Sequence, residues 1–189
     1  QIPRPEIPFL LGTWGPKTIA ACIEQISQVK VGGSANPDLA GRIRRIIDTA
    51  ATRANRNPAG VGLVLGAVTV VDLDGPAARA QAKREAALYL SIVARLDSSL
   101  NLEPELLERI EQASAAYNYE QVASYISDDL LRRLAFAGTP DDIARQAADL
   151  FEAGVQRVEF GTPHGLNPVE GLRLLGEQVL PALRAGYLA

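Results

Sequence analysis

Three short glycine-bearing segments stand where apolar runs give way to helix-forming sequence, and they hold most of the candidate chemistry. The first is Gly12-Thr13-Trp14-Gly15-Pro16-Lys17. Glycine lets backbone approach a ligand closely, and the free N–H groups of a following helix face an anion. Lys17 strengthens that reading, because a cation in a first helical turn opposes the helix dipole and a bound phosphate would remove the conflict. The same residues also fit a tight turn with Trp14 as packing. The second segment is Gly32-Gly33-Ser34-Ala35-Asn36. Its glycines and small side chains suit a polar ligand, or equally a turn that ends on Asn36 as a helix cap. The third, Gly161-Thr162-Pro163-His164-Gly165, carries the only histidine. Thr162 can donate to a phosphate or carboxylate. A lone loop histidine is more often a hydrogen-bonded surface residue than a ligand, so His164 stands beside Thr162 as a substrate-side candidate only.

Two charges interrupt short apolar runs: Lys30 between Val29 and Val31, and Glu159 between Val158 and Phe160. Strand alternation puts each on the face opposite its apolar neighbours. A charge removed from water needs a partner. The expectation is that Lys30 and Glu159 lie near each other on one inner layer of a barrel.

Other chemistries are poorly supplied. No Ser-His-Asp spacing, phosphate loop or dinucleotide fingerprint is present, and one histidine with one cysteine makes a zinc site improbable, so no metal is expected. Cys22, among Ala20, Ala21 and Ile23, reads as a buried, inert thiol. Asp128-Asp129 and Asp141-Asp142 are adjacent pairs that do not face each other on a helix and read as caps or surface acids. A net charge of −3 with scattered arginines gives no footprint for nucleic acid. With 47% apolar and 22% charged residues, the 189 residues suit one globular domain. The longest apolar run, 61–71, is too short for a membrane span, and with a single cysteine and no signal-peptide pattern a cytoplasmic setting is expected.

The elements that would position these residues alternate between strand and helix. Runs 8–12, 28–31, 61–71 and 156–161 read as strands. Helices are predicted over 17–27 on the spacing of Ile19, Ile23 and Ile26, and from Asn36-Pro37 to about residue 55. Further helices follow over 76–96, 104–115 and 119–134 (with a break at Ser127), from Thr139-Pro140 to Gly154, and over 168–183. Alternation implies parallel strands with covering helices, and four βα units are counted. Periodicity leaves open whether these form an open sheet or half of an eight-stranded barrel.

Several blocks nonetheless resemble the bacterial luciferase-like family, in its methylenetetrahydromethanopterin reductase-like branch. They are Ile7-Pro-Phe-Leu-Leu-Gly-Thr-Trp-Gly-Pro-Lys17, Val29-Lys-Val-Gly-Gly-Ser-Ala-Asn-Pro37, Phe136-Ala-Gly-Thr-Pro-Asp-Asp-Ile143, Glu152-Ala-Gly-Val-Gln-Arg-Val-Glu-Phe-Gly-Thr-Pro-His-Gly165 and Gly171-Leu-Arg-Leu-Leu-Gly-Glu-Gln-Val-Leu-Pro181. The resemblance implies an α/β (β/α)8 TIM barrel of which residues 1–189 form the carboxy-terminal half, strands five to eight being the four runs above. It implies FMN or coenzyme F420 at the carboxy-terminal mouth, with Gly12, Thr13, Trp14, Gly15 and, by the charge argument, Lys17 on the coenzyme. Gly32, Gly33, Ser34 and Ala35 would lie nearer phosphate or substrate; the resemblance says less about Thr162 and His164, which stay substrate-side candidates on their own chemistry. The implied activity is that of a luciferase-like oxidoreductase or monooxygenase, a flavoprotein or F420 enzyme moving a hydride to or from a small organic substrate. No catalytic acid or base is singled out. Two alternatives stay open: a non-catalytic flavin-binding or assembly module, and an open-sheet α/β enzyme without redox chemistry. Half a barrel leaves two unpaired parallel edges, so pairing with an amino-terminal half or a second copy is expected.

Overall fold

The computed structural model describes residues 7–186. Five parallel strands form its sheet: β1 (Phe9–Gly12), β2 (Ile26–Gly32), β3 (Gly62–Val71), β4 (Ala135–Gly138) and β5 (Arg157–His164). β3 is the spine. One of its edges pairs with β5 from Val64 to Val70, while the other takes β2 over Gly62–Gly66 and then β4 over Val68–Val71. β1 pairs with β2, and among the described residues neither β1 nor β5 has a strand on its outer edge.

The connections contain α1 (Pro16–Cys22), α2 (Pro37–Arg53), α3 (Gly75–Leu96), α4 (Pro104–Ala115), α5 (Tyr119–Ser124), α6 (Asp128–Leu134), α7 (Pro140–Glu152), α8 (Pro168–Leu174) and α9 (Leu180–Gly186). Local chemistry sets their starts. Asn36 accepts from the Asp38 N–H with Pro37 in the first turn, and Thr139 and Asp142 form a reciprocal capping box ahead of α7. Gly154, at φ +91°, ends that helix in the left-handed region. Ser127 accepts from the Leu130 N–H and so separates α5 from α6, at the expected break. A π-helical segment, Leu175–Val179, joins α8 to α9 in the last predicted helix.

The sheet buries its two faces differently. Val29, Val31, Leu63, Leu65 and Ala67 pack on one side with side chains of α1, α2, α7, α8 and α9. On the other side, Val70, Ala135 and Ala137, at the carboxy-terminal end of β3 and on β4, pack against α3 to α6. Further toward the strand starts, that second face carries Gln28, Lys30, Arg157 and Glu159, which are half-buried or exposed. No helix among the described residues is long and apolar enough to cross a membrane.

Three expectations are corrected. Five strands are present, not four: Ala135–Gly138 has no β-branched residue and follows α6 without a break, so only its pairing with β3 marks it as a strand. The predicted helix over 17–27 stops at Cys22, and Ile26 opens β2 opposite Phe9, although the spacing of Ile19, Ile23 and Ile26 suits a helix. Pairing with a neighbouring strand outweighs that local pattern. Cys22 is half-buried rather than fully enclosed.

Candidate functional site

The turns after β1 and β2, residues Gly66–Val68 of β3 and residues Glu159–Thr162 of β5 line a cavity of about 410 Å³. Trp14 closes one side and the last turns of α3, through Tyr89, Ile92, Val93 and Leu96, close another. Gly32, Gly33, Gly66 and Gly161 present backbone to it, while Lys30, Glu159 and Thr162 supply the polar side chains. Small-molecule sites usually enclose about 300–1,000 Å³ and combine an apolar wall with a few polar groups. A somewhat larger groove of about 610 Å³ runs between α1 and α2 beneath Arg42, Arg45 and Arg53. It lies on helices rather than at strand ends, so the strand-end cavity is the better candidate.

The turn after β2 is pinned from two sides. Gly33 and Ser34 donate their N–H groups to the Gly66 carbonyl at 2.7 and 3.3 Å, and Ala35 donates to the Arg133 carbonyl at 2.9 Å. The fully buried Asn36 donates through Nδ2 to Asp97 Oδ2 and to Ser99 Oγ, both at 2.9 Å. Asp97 ends α3, so this polar brace also fixes the helix end that roofs the cavity. At Gly33, φ is +82° and a Cβ would lie 3.2 Å from Val93 Cγ2, which leaves glycine as the residue that fits under α3.

Lys30 and Glu159 do meet. The Lys30 ammonium donates to Glu159 Oε2 across the top of β3, and Arg157 Nη2 donates to the other oxygen at 2.9 Å. Lys30 and Glu159 belong to strands separated by β3, and Gly66 lies between them. A Cβ on Gly66 would stand 3.2 Å from Glu159 Cβ and 3.7 Å from Lys30 Cε. The hydrogen bond from Lys30 draws the Glu159 carboxyl below its ordinary pKa, with burial opposing and the nearby Lys30 and Arg157 charges assisting.

Of the residues singled out by sequence, Trp14, Gly32, Gly33 and Thr162 line this cavity together with Lys30 and Glu159. Gly12, Thr13 and Gly15 do not line it but shape the turn that places Trp14. Thr13 donates its N–H to the Lys30 carbonyl and accepts the Gly15 N–H, both at 3.0 Å. Lys17 is exposed on α1, outside the lining. Ser34 and Ala35 are buried away from the cavity, with the Ser34 hydroxyl accepting the Asn36 N–H at 3.1 Å. His164 is half-buried behind the lining, at φ +78°, with Nε2 3.2 Å from the Phe160 carbonyl oxygen. Sequence reading missed Gly66 and the α3 wall. The signal for the wall was a second apolar stripe: Tyr89, Ile92 and Leu96 follow one another at helical spacing, beside the buried stripe of Ala82, Ala86, Leu90 and Val93.

A family model described as luciferase-like monooxygenase matches residues 1–157. The chain belongs to that family. It is 25% identical over 183 residues to a 5,10-methylenetetrahydromethanopterin reductase of Archaeoglobus fulgidus, covering 94% of this chain and 55% of that protein. A protein of the same name from Methanolobus tindarius is 24% identical over 179 residues, covering 93% and 54%. The solved coenzyme F420-dependent tetrahydromethanopterin reductase of Methanopyrus kandleri superposes with a TM-score of 0.80 at 23% identity, over 93% of this chain and 50% of that one. An F420-dependent secondary alcohol dehydrogenase, solved with an F420-acetone adduct, gives 0.69 at 17% identity, over 96% and 50%. The fold is therefore that of the luciferase-like α/β barrels, and the chain spans about half the length of the curated relatives it matches.

Proposed function

We propose that residues 1–189 form the carboxy-terminal half of a luciferase-like barrel whose complete form is an oxidoreductase using coenzyme F420 or FMN. In this reading it moves a hydride to or from a small organic substrate, in the manner of the methylenetetrahydromethanopterin reductases it is similar to. The observation that carries this reading is the cavity itself: the turns after β1 and β2 meet the exposed face of β3 and β5 in a glycine-lined pocket with one aromatic and one apolar wall. Gly32 is open enough that an added Cβ would touch nothing within 4 Å, so a flat ring system can approach the backbone there. Trp14 and the α3 wall offer the apolar surface such a ring needs, and the polar groups of the floor fix its orientation.

When bound, the coenzyme supplies the hydride chemistry. The chain's own contribution is to hold the ring against the glycine turns, to keep water off its apolar side through Tyr89, Ile92 and Leu96, and to orient the substrate through Thr162. Lys17, Ser34, Ala35 and His164 stay outside this assignment, since none of them lines the cavity.

The unpaired outer edges of β1 and β5 favour a companion. Parallel edges with free N–H and C=O groups are seldom left bare, so an amino-terminal half or a second copy would complete the sheet. The same edges support a second reading, a module that holds the coenzyme or assembles without turnover. Titration of the purified protein with F420 and with FMN, followed by intrinsic tryptophan fluorescence, tests both. Quenching at micromolar coenzyme is expected, and its absence for both ligands refutes the coenzyme reading. Oxidation of bound reduced coenzyme by a substrate then separates enzyme from module.

A further inference from the structure

Lys30 belongs to a cluster of charges that extends beyond the cavity floor. Lys30 and Arg157 both hydrogen-bond to the one carboxylate of Glu159, and no other acid lines the cavity among the described residues. Arg157 lies outside the lining, but its bond to the second oxygen means that the Glu159 carboxylate is shared and offsets the Lys30 charge only in part. An ammonium group has three N–H donors, and the one hydrogen bond it makes among the described residues goes to Glu159. The Lys30 side chain is 36% exposed and lines the cavity, so its remaining donors are accessible from that side. Gly66 keeps the path across β3 clear, and Glu159 anchors the ammonium at the cavity floor rather than leaving it to trail into solvent.

We infer that Lys30 is the cavity's anion-binding residue and receives an anionic oxygen of the coenzyme. This rests on the coenzyme reading of the cavity given above. The oxygen has two sources, a phosphate of the coenzyme's side chain or an electron-rich oxygen of its ring. Both are hydrogen-bond acceptors for an ammonium group, and the phosphate would in addition offset its charge. Thr162, on the same lining, offers a neutral donor to the same ligand.

Riboflavin, which carries the ring without a phosphate, separates the two sources from FMN. Wild-type protein and the variants Lys30→Met and Lys30→Arg are titrated with FMN, F420 and riboflavin, with far-ultraviolet circular dichroism and thermal midpoints checking the fold. Lys30→Met should weaken FMN and F420 binding about ten- to hundredfold, the effect of deleting one hydrogen bond to a charged group. Lys30→Arg, which keeps the charge, should retain most of the affinity. A parallel loss for riboflavin assigns the ring oxygen to Lys30, and a loss confined to the phosphorylated ligands assigns the phosphate. If Lys30→Met does not fold, Lys30→Gln keeps a donor for Glu159 without the charge and should show the same loss. A wild type that binds the coenzymes and a folded, uncharged variant that binds them equally well overturn the assignment of Lys30 alone. A wild type that binds none of the three ligands overturns it together with the coenzyme reading.

Discussion

Gly171 and Gly176 lie five residues apart along the closing helical stretch, and the structure gives the same substitution opposite signs at the two positions. At Gly171, where α8 crosses the end of β5, a Cβ would fall 2.3 Å from the His164 carbonyl oxygen and 2.7 Å from the Gly165 nitrogen. That is about 1 Å inside ordinary van der Waals contact. The obstacle is backbone, which cannot rotate aside, and Gly165 is itself wedged with its own Cβ position 2.8 Å from the Val71 carbonyl oxygen. α8 must therefore retreat from β5. Overpacking of this kind costs about 3 kcal/mol, against a gain of about 1 kcal/mol in helix propensity for alanine over glycine. Gly171→Ala should then lose about 2 kcal/mol. At Gly176 a Cβ would meet nothing within 4 Å, and Gly176→Ala should gain about 0.5–1 kcal/mol. Urea unfolding followed by circular dichroism reads both. With a slope of about 2 kcal/mol per molar urea, the midpoint should fall by about 1 M for Gly171→Ala and rise by a few tenths for Gly176→Ala. Because α8 braces the strand that carries Glu159 and Thr162, coenzyme affinity should drop in the first variant and hold in the second. A Gly171→Ala protein within about 0.5 kcal/mol of wild type, or a Gly176→Ala protein that loses as much as Gly171→Ala, would refute the reasoning.

Two further outcomes follow from the hydrogen bonds. The side chain of Gln146 acts as a strand partner for β4, accepting the Ala137 N–H at 3.1 Å and donating to the Ala135 carbonyl at 3.0 Å; Gln146→Leu should cost about 2–3 kcal/mol by leaving both unpaired, and amide exchange at Ala137 should accelerate. The second outcome concerns pH. Glu159 titrates below its ordinary value of about 4.5, chiefly because Lys30 hydrogen-bonds to it, so the unfolded chain binds its proton more readily than the folded one. The stabilisation is complete above the ordinary value and is lost as pH falls through the lowered one. Glu159→Gln should flatten the acid limb of a stability-versus-pH curve measured by thermal melting, and an unchanged limb would remove the carboxylate from that role.

Much of this architecture was legible residue by residue. Asn36-Pro37 and Thr139-Pro140 announced helix starts because a capping side chain and a first-turn proline act within three or four residues of themselves. Lys30 and Glu159 announced a shared face because strand alternation is fixed by backbone geometry, whatever the strand pairs with. The family blocks, spread from Ile7 to Pro181, announced the barrel type. Where an outcome depended on a distant partner, local reading failed. Ala135–Gly138 is a strand only because β3 offers a free edge there, and Ile26 leaves the helical pattern because β1 waits opposite it. Ser34 had the chemistry of a ligand contact but was drawn into the brace between Asn36 and the end of α3, sixty residues on. Tyr89, Ile92 and Leu96 had the spacing of a core stripe, yet they face a cavity, because the end of α3 passes over the glycine turn after β2. Composition, caps and alternation are short-range properties and belong to the chain. Which strand ends meet, and which side chains are left to line the space between them, is set by pairings across the whole sheet.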